Sequence, residues 1–294
     1  MRTHERAYVS RASVAIAMPV RDCAATIDTA IRSVIHQTYP HWNLFILEDG
    51  SKDRTRAIAE RHSSDGRVKV FADGRCLGTE ARLNQAISLS GGHEYFARMD
   101  GDDVSYPERL ERQIAALEQE PRLDLLGSSV LLFRNSGEAL GSRRVPSVHE
   151  EICGNRSSGF PMAHPTWCGR RAWFERFGYD ERAFGCGDQD LLRRSWRTSR
   201  FANLPEILLG YREHEIRLRV MIGTRKSMVA SVARTEGWTS PATVRASLDQ
   251  AGKGFAEAIA WALHQDQMVL RHRRQELQPA EGSRWAEVWR LSHT

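Results

Sequence analysis

Three carboxylates follow one short apolar run near the middle of the chain. Asp100, Asp102 and Asp103 fall within four positions of the stretch YFARMDGDDVSYPERL, and a polar, helix-starting run comes after them. Like charges this close repel each other, and each carboxylate loses hydration if the group lies in a cleft. The spacing therefore indicates either a solvated acidic turn or the binding site of a cation.

The segments that would position this cluster alternate between strand-like and helix-like patterns. Apolar runs predict five strands, and apolar residues at helical spacing between them predict amphipathic helices such as 24–37. We expect Ser51 and Thr79 to cap the second and third helices, and Ser105 to form a capping box with Glu108 before the fourth. This order of elements predicts an α/β fold with a mostly parallel central sheet flanked by helices.

Two further polar clusters end neighbouring predicted strands. Pro19-Val20-Arg21 closes the first strand, and Glu48-Asp49-Gly50 closes the second. In open α/β sheets ligands bind beyond the carboxyl ends of the strands, so these clusters and the three carboxylates should meet at one edge. Each cluster alone would be an ordinary turn, but their coincidence favours a binding site.

Composition and charge limit the classes of function. The chain has 294 residues, of which 41% are hydrophobic and 27% charged, as in an ordinary globular protein with one large domain and an appendage. The net charge of +5 suits anionic ligands or anionic lipid surfaces, but it is too weak to indicate nucleic acid as a partner.

The five cysteines and the apolar runs bear on the compartment. The cysteines are odd in number and form no C-x-x-C pair, so we expect free thiols in a reducing compartment. The stretch MRTHERAYVSRAS has no apolar core of a signal peptide, and no run approaches the ~20 apolar residues of a membrane span. These features predict a cytoplasmic protein, and peripheral contact with the inner face of the membrane is left open.

Several motifs occur in order between Val14 and His214. They are VAIAMPVRD, LEDGSKDRT, GTEARLNQAI, MDGDD, AHPTWCGRRAWFERFGYDE, GDQDLLRRS and LLGYREH. Each is weak alone, but the ordered set resembles the inverting glycosyltransferases of family 2, which have the GT-A fold and include enzymes of bacterial cell-surface polysaccharides. The resemblance implies a nucleotide-diphosphate-sugar donor, most often a UDP-sugar, and a glycan, lipid-linked or small-molecule acceptor.

The resemblance also implies a divalent cation, Mn²⁺ or Mg²⁺, at the acidic cluster. Asp102 corresponds to the metal ligand, and Asp100 to a residue that meets the ribose or the water shell of the metal. Asp103 would hold that shell or the sugar hydroxyls. His214, in the segment YREH, would reach the metal or the diphosphate, since imidazole can do either.

The same comparison assigns the nucleotide side of the site. Asp49 matches the position that accepts a hydrogen bond from the nucleobase, and Arg82 matches an arginine that faces the nucleotide, although an exposed helix charge would explain Arg82 nearly as well. The remaining positions expected to line the nucleotide pocket are Pro19, Val20, Arg21, Glu48, Asp100 and Gly101.

The second half of the motif set would serve the acceptor. Asp188 in GDQD corresponds to the catalytic base, with a plain helix cap as the rival interpretation. Gly187 stands where the family usually has a glutamate, which leaves acceptor and donor-sugar specificity open. His164 and Asp103 are expected in the sugar and acceptor pocket, whereas Asp190 is expected to be structural.

The character of the chain changes near position 225. We predict a catalytic domain over 1–224, divided into a nucleotide-binding half (14–132) and an acceptor-side half (133–224), and a helical extension over 225–294. Apolar residues in the extension recur at helical spacing and end at the basic stretch RHRR, 271–274. This pattern favours a helix packed on the catalytic domain over a basic face held at anionic lipid. Trp285 and Trp289 fit a core or an interface equally well.

Two other functions remain compatible with these residues. A nucleotidyltransferase would share the sheet and the acidic site, but MPVRDCAAT lacks the glycine-rich phosphate loop expected after the first strand. A non-catalytic nucleotide- or sugar-binding homologue is the other alternative. Asp102 and Asp188 oppose it, and Gly187 keeps it open. The sequence does not predict the oligomeric state.

Overall fold

A nine-stranded mixed sheet with helices on both faces forms the centre of the molecule. The computed structural model describes residues 11–156, 158–214, 218–262 and 274–294. In chain order the elements are β1 (Val14–Val20), α1 (Ile27–Ile35), β2 (Trp42–Glu48), α2 (Thr55–Arg61), β3 (Val68–Ala72), α3 (Thr79–Leu89), β4 (Tyr95–Arg98), β5 (Val104–Ser105), α4 (Arg109–Gln119), β6 (Leu125–Phe133), β7 (Ala139–Arg143), α5 (His149–Ile152), β8 (Cys168–Arg170), α6 (Arg171–Phe177), α7 (Gly187–Ser195), β9 (Phe201–Arg212), α8 (Leu218–Glu236), α9 (Pro241–Ala262) and α10 (Pro279–Leu291).

The sheet has a parallel part and a mixed part. The first four long strands lie in the order β3-β2-β1-β4 and are all parallel, which is the arrangement the β-α-β-α pattern predicts. Beyond β4 the sheet continues β8-β6-β9-β5, and antiparallel pairs join β4 to β8, β8 to β6 and β9 to β5. β6 and β9 pair in parallel, so parallel pairing also occurs in the second half. Each antiparallel pair involves one of the short strands β5, β7 and β8, for which the sequence showed no clear pattern.

Alternation along β1 explains the layered core. Val14, Ile16 and Met18 pack with α1 and α4 on one face, whereas Ala15 and Ala17 pack with α3, α6 and α7 on the other. All five side chains are buried, because a strand at the centre of a parallel sheet is covered on both faces. The carboxyl ends of β1, β2 and β4 consequently open on one edge of the molecule.

The predicted helix caps are wrong at three positions. Ser51 accepts a hydrogen bond from the backbone of Asp22 at 3.1 Å, and α2 starts only at Thr55. Ser105 belongs to β5, and α4 starts after Glu108, so no capping box forms there. Thr79 lies inside the first turn of α3, and Gly78, with φ +95°, takes the cap position. The observed N-cap residues are Arg54, Gly78 and Glu108, so local sequence preference placed the helices correctly but not their first residues.

The C-terminal helices pack in two ways. Trp285 of α10 is buried at 3% exposure between Tyr106 and Phe133, which decides for the core in the case of this tryptophan. A Cβ on Gly210 would lie 2.3 Å from the Trp285 ring, so that glycine makes room for it. Helix α8 runs continuously across position 225, where the sequence placed the start of the extension.

Helix α9 leaves large apolar side chains in solvent. Phe255 and Leu248 are each 71% exposed, so their face of α9 is turned to solvent. The opposite face is buried, and there Arg225 of α8 donates to Gln250 and Glu257. The rest of the predicted apolar stripe, Leu263 and Leu270, and most of the RHRR segment lie outside the described residues. Within the described ranges, no helix combines the length and hydrophobicity that crossing a membrane requires.

Candidate active site

The acidic cluster lies in the turn after β4. One carboxylate oxygen from each of Asp100, Asp102 and Asp103 lies within 4.8 Å of the other two. Gly101 lets this turn approach the end of β1, because a Cβ there would lie 2.7 Å from Val20 Cγ1. The structure thus brings the acidic turn against the end of β1, as the sheet-edge argument requires.

The end of β9 holds this turn in place. Asp103 Oδ1 accepts the backbone N–H of Arg212 at 2.8 Å, and the Arg212 Nε donates to the backbone oxygen of Asp102 at 2.6 Å. His214 Nε2 lies 2.7 Å from Asp102 Oδ2. The YREH motif therefore meets the MDGDD motif directly, although more than a hundred residues separate them.

The electrostatics of the cluster favour a bound cation. Burial raises the pKa of Asp103 well above its usual range, and the charges of Asp102 and Asp100 act in the same direction. Burial also raises the pKa of Asp100. Asp103 Oδ2 is buried and has no hydrogen-bond partner. Mg²⁺ and Mn²⁺ prefer oxygen ligands of this kind, so a divalent cation fits the residues present.

Arg98, which the sequence patterns did not single out, lies beside the acidic cluster at the carboxyl end of β4. Its side chain is buried at the end of β4 and forms an ion pair with Asp100. A charged residue inside the apolar run YFARM was the available signal, since buried arginines occur mainly where a charge must be paired. Arg98 places one fixed positive charge beside the three carboxylates.

Asp49 and Arg82 form a buried pair after β2. Asp49 Oδ1 accepts from Arg82 Nε at 2.9 Å and from the backbone N–H of Leu77 at 2.7 Å, and Oδ2 accepts from the N–H of Gly78 at 3.0 Å. Arg82 has no exposed surface, so it is not the solvent-facing helix charge considered as an alternative. A carboxylate has about four acceptor positions, so Asp49 keeps little capacity beyond these internal bonds.

The other residues expected on the nucleotide side lie at the same edge. The carbonyl of Val20 accepts the N–H of Asp49 at 2.9 Å, and Pro19 precedes it in β1. Glu48 is buried, and its carboxylate accepts the backbone N–H of Ser51, which gives it a role inside the turn. Arg21 is exposed, with its Nη1 2.7 Å from Cys76 Sγ.

A cavity of about 540 Å³ adjoins the acidic cluster. Its lining includes Asp100 from the metal side, and His164, Gly187 and Asp188 from the second half of the chain. These four residues, which the sequence analysis placed either at the acidic cluster or on the acceptor side, therefore line one cavity. Because β4 and α7 are far apart in sequence, only the folded chain could join them.

Asp188 is the second residue of α7 and faces this cavity. The N-cap of α7 is Cys186, so Asp188 is not the helix cap that the rival interpretation required. Burial raises the pKa of the Asp188 carboxyl, and hydrogen bonds from Gln189 and the charge of Arg98 oppose the shift. Asp190 is buried and accepts from Arg194 at 2.7 Å and Ser231 at 2.7 Å, which joins α7 to α8.

His164 is held as a neutral ring at the cavity wall. Its Nε2 lies 2.9 Å from the hydroxyl of Tyr179. Burial lowers the pKa of His164 well below its usual range, and the nearby charge of Arg98 adds to the effect. A neutral His164 can orient a hydroxyl through Tyr179 but carries no charge for an anionic ligand.

Glu80 lines the cavity and is the second site residue that sequence reasoning missed. A Cβ built on Gly187 would lie 2.8 Å from Glu80 Cγ and 2.9 Å from its Oε1. Burial raises the pKa of Glu80, and the charge of Asp188 adds to the shift. Among the described residues no ion pair involves Glu80. The carboxylate absent at position 187 is thus matched by one from α3, a contact that no local pattern indicates.

The sequence model of glycosyl transferase family 2 matches residues 15–178, more than half of the chain. The fold, the acidic edge and this match agree, and the chain belongs to glycosyl transferase family 2. The O-antigen biosynthesis glycosyltransferase WbnJ of Escherichia coli is 31% identical over 210 residues, which cover 68% of this chain and 80% of WbnJ. EpsE of Bacillus subtilis (strain 168), provisionally named a glycosyltransferase, is 36% identical over 156 residues. That alignment covers 52% of this chain, and the chain spans about half of EpsE, 54% of its length.

Solved structures of low sequence identity share the fold. TarS 1–349 of S. aureus in complex with UDP superposes with a TM-score of 0.61 at 14% identity, covering 94% of this chain and 78% of that one. The mannosyltransferase PcManGT of Pyrobaculum calidifontis, in complex with GDP-Man and Mn²⁺, gives a TM-score of 0.59 at 15% identity, covering 97% and 86%. The chain has the GT-A fold that the ordered motifs implied.

Proposed function

We propose that this protein is a metal-dependent inverting glycosyltransferase. It would move a sugar from a nucleotide-diphosphate sugar, most often a UDP-sugar, to a hydroxyl of a glycan, lipid-linked or small-molecule acceptor. The observation that carries the proposal is the shared cavity, in which Asp100 of the acidic cluster and the buried carboxylate of Asp188 line one space. A donor phosphate side and a proton acceptor on one cavity are what direct transfer requires.

The acidic cluster would hold Mn²⁺ or Mg²⁺ through Asp102 and His214, with Asp100 and Asp103 beside them. The unpaired Asp103 Oδ2 and the raised pKa values of Asp100 and Asp103 support this assignment. A bound divalent cation supplies charge neutralisation for the diphosphate as it leaves. The Mn²⁺ in the PcManGT complex is consistent with a metal in this fold.

The donor nucleotide would bind across the ends of β1, β2 and α3. Asp49, Arg82 and the backbone around Pro19, Val20 and Arg21 would line its base, and Asp100 and Gly101 would face its ribose. UDP and UDP-GlcNAc in the TarS complexes, and GDP-Man in the PcManGT complex, support a nucleotide-sugar donor here. The buried Asp49–Arg82 pair would act chiefly by holding the 75–78 loop in the shape of the base pocket.

Asp188 would act as the base of a single displacement. The acceptor hydroxyl attacks the anomeric carbon from the face opposite the diphosphate, its proton passes to the Asp188 carboxylate, and the bond to the diphosphate breaks. A positioned carboxylate of this kind contributes roughly 10²–10⁴-fold. His164, Tyr179 and Glu80 would orient the sugars around the attacking hydroxyl.

Family membership favours glycosyl transfer over nucleotidyl transfer, and the non-catalytic alternative is open to experiment. Calorimetry with a panel of nucleotides, with and without Mn²⁺, followed by a donor-hydrolysis assay, separates the three functions. A transferase binds nucleoside diphosphates in a Mn²⁺-dependent way and slowly hydrolyses at least one nucleotide sugar. Tight binding without hydrolysis or transfer for any donor would contradict the enzymatic function.

We also propose peripheral contact with the inner face of the membrane, where lipid-linked acceptors lie. Trp238, Leu248 and Phe255 are 70–71% exposed in and before α9, and such side chains suit an interface with apolar chains. Replacing Leu248 and Phe255 by serine should abolish co-sedimentation with lipid vesicles while leaving UDP binding unchanged. Equal co-sedimentation of the wild-type protein and the double serine variant would contradict this contact.

A further inference from the structure

A second cavity, of about 390 Å³, lies on the C-terminal side of α7, away from the acidic cluster. Its described lining combines the turn 154–156, the last turn of α7, the end of α8 and the start of α9. Four arginines line it, Arg156, Arg193, Arg197 and Arg245, against a single glutamate, Glu236. The described wall of this cavity is therefore strongly positive, although none of these residues belongs to the proposed donor or acceptor site.

Arg193 is the feature that a plain basic surface does not explain. Its side chain is 3% exposed, and its Nε and Nη2 atoms are buried without a hydrogen-bond partner. The nearest acidic residue on its own helix, Asp190, is already bonded to Arg194, Ser231 and Arg234. A buried guanidinium with unpaired donors is unfavourable unless an acceptor enters the cavity.

The other cavity groups are arranged around this guanidinium. Arg156 stacks on the Trp196 ring, with its Cζ 4.0 Å from the ring centroid, and Arg197 lies 4.8 Å from the same ring. Glu236 accepts from Arg197 at 3.1 Å, and its charge also acts on Arg193. One carboxylate against four guanidinium groups leaves a net positive charge on the described lining. Pro241 and Ala242 place the positive end of the 22-residue helix α9 at the cavity.

We propose that this cavity binds a phosphate group. Each guanidinium group is planar, positively charged and carries several N–H donors, so it binds the oxygens of a phosphate more strongly than it binds a neutral ligand. The phosphate is either that of a lipid headgroup or free inorganic phosphate. The exposed Val244 and Leu248 next to Arg245 would suit a lipid chain beside the headgroup. The proposal does not depend on the transferase function, since none of its residues lines the acidic edge.

Phosphate binding is measured by calorimetry with inorganic phosphate in EDTA, so that no metal can hold phosphate at Asp102. The wild-type protein should bind, and Arg245→Gln and Arg156→Gln should each weaken binding about tenfold, the effect of losing one charge-assisted hydrogen bond. Arg193→Met, which keeps the shape of the buried chain, should abolish it. Arg112→Gln, an exposed arginine on α4, is the matched control and should bind as the wild type does.

Vesicles distinguish the two sources. Binding to phosphatidylcholine vesicles that contain phosphatidylglycerol, weakened in Arg245→Gln and competed by inorganic phosphate, identifies a lipid headgroup. Phosphate binding with no vesicle binding, or with vesicle binding that phosphate does not compete, identifies the free anion. Absence of phosphate binding at millimolar concentration, binding unchanged in all three arginine variants, or binding lost in Asp102→Asn would each overturn the proposal.

Discussion

The carboxylate of Glu80 fills the space into which a side chain at Gly187 would project. The Glu80 Oε1 lies 2.9 Å from the position of a Cβ on residue 187. Gly187 has no backbone conformation that excludes other residues, so its size, rather than its flexibility, is what Glu80 requires. The two positions form a matched pair across the sequence, α3 on one side and the start of α7 on the other.

Gly187→Glu alone should destabilise the protein by about 1–3 kcal/mol, the usual cost of overpacking, because two carboxylates would compete for one space. Glu80→Ala should leave stability intact but lower sugar transfer at least tenfold. The double variant, Glu80→Ala with Gly187→Glu, should recover stability and most of the transfer. Urea denaturation and steady-state kinetics measure both effects.

Glu80→Gln is the control that keeps the shape of the side chain and removes its charge. Uridine diphosphate affinity should be the same in all four variants, which confirms that the nucleotide side is unchanged. Two results would refute the idea that Glu80 takes the place of a carboxylate at position 187. One is wild-type transfer in Glu80→Ala, and the other is a double variant with no more stability or transfer than Gly187→Glu.

Asp102→Asn should remove the Mn²⁺ dependence of UDP binding and lower turnover on the order of 10²–10³-fold, as expected for a lost stabiliser of developing charge. Uridine binding, which needs no diphosphate contact, should survive. Calorimetry with uridine and UDP, in Mn²⁺ and in EDTA, checks both parts. Wild-type turnover in EDTA would show that no metal takes part.

Asp188→Asn should reduce transfer by roughly 10²–10⁴-fold with unchanged melting temperature and donor binding, because the amide cannot accept the proton. Asp188 must be ionised to act as a base, and burial raises its pKa. As the pH is lowered, wild-type transfer should therefore begin to fall at a pH above about 3.9, the ordinary pKa of aspartate. A rate profile against pH measures this limb. Full activity in Asp188→Asn, or a product that retains the donor's anomeric configuration, would exclude the mechanism.

Asp49→Ala should weaken nucleoside binding about ten- to a hundredfold, because Asp49 holds the 75–78 loop in the shape of the base pocket and the loss of a hydrogen bond to a charged group costs roughly 1.5–3 kcal/mol. Because Asp49 also bonds Arg82 and the 77–78 backbone, the variant should lose stability as well. Asp73→Ala, which removes the other carboxylate on Arg82, is the matched control. Equal losses of uridine affinity in both variants would mean that Asp49 acts only by holding Arg82.

The local sequence pattern was sufficient to predict the all-parallel part of the sheet, β3-β2-β1-β4, and the sheet edge at which the candidate site lies. The apolar runs of β1, β2 and β4 are covered on both faces, so their hydrophobicity records their central position, and their carboxyl ends mark the edge. The spacing of Asp100, Asp102 and Asp103 is local as well. These features depend on neighbours in sequence, and the sequence alone determined them.

Tertiary structure decided which distant groups share a space. The contacts of Glu80 with Gly187, Arg212 with Asp103 and Trp285 with Gly210 join segments that no periodicity relates. The unpaired Arg193 and the ion pair of Arg98 with Asp100 depend equally on what surrounds each charge after folding. Burial and the lack of a hydrogen-bond partner depend on which segments pack around a side chain after folding. They cannot be read from the residue's neighbours in the sequence.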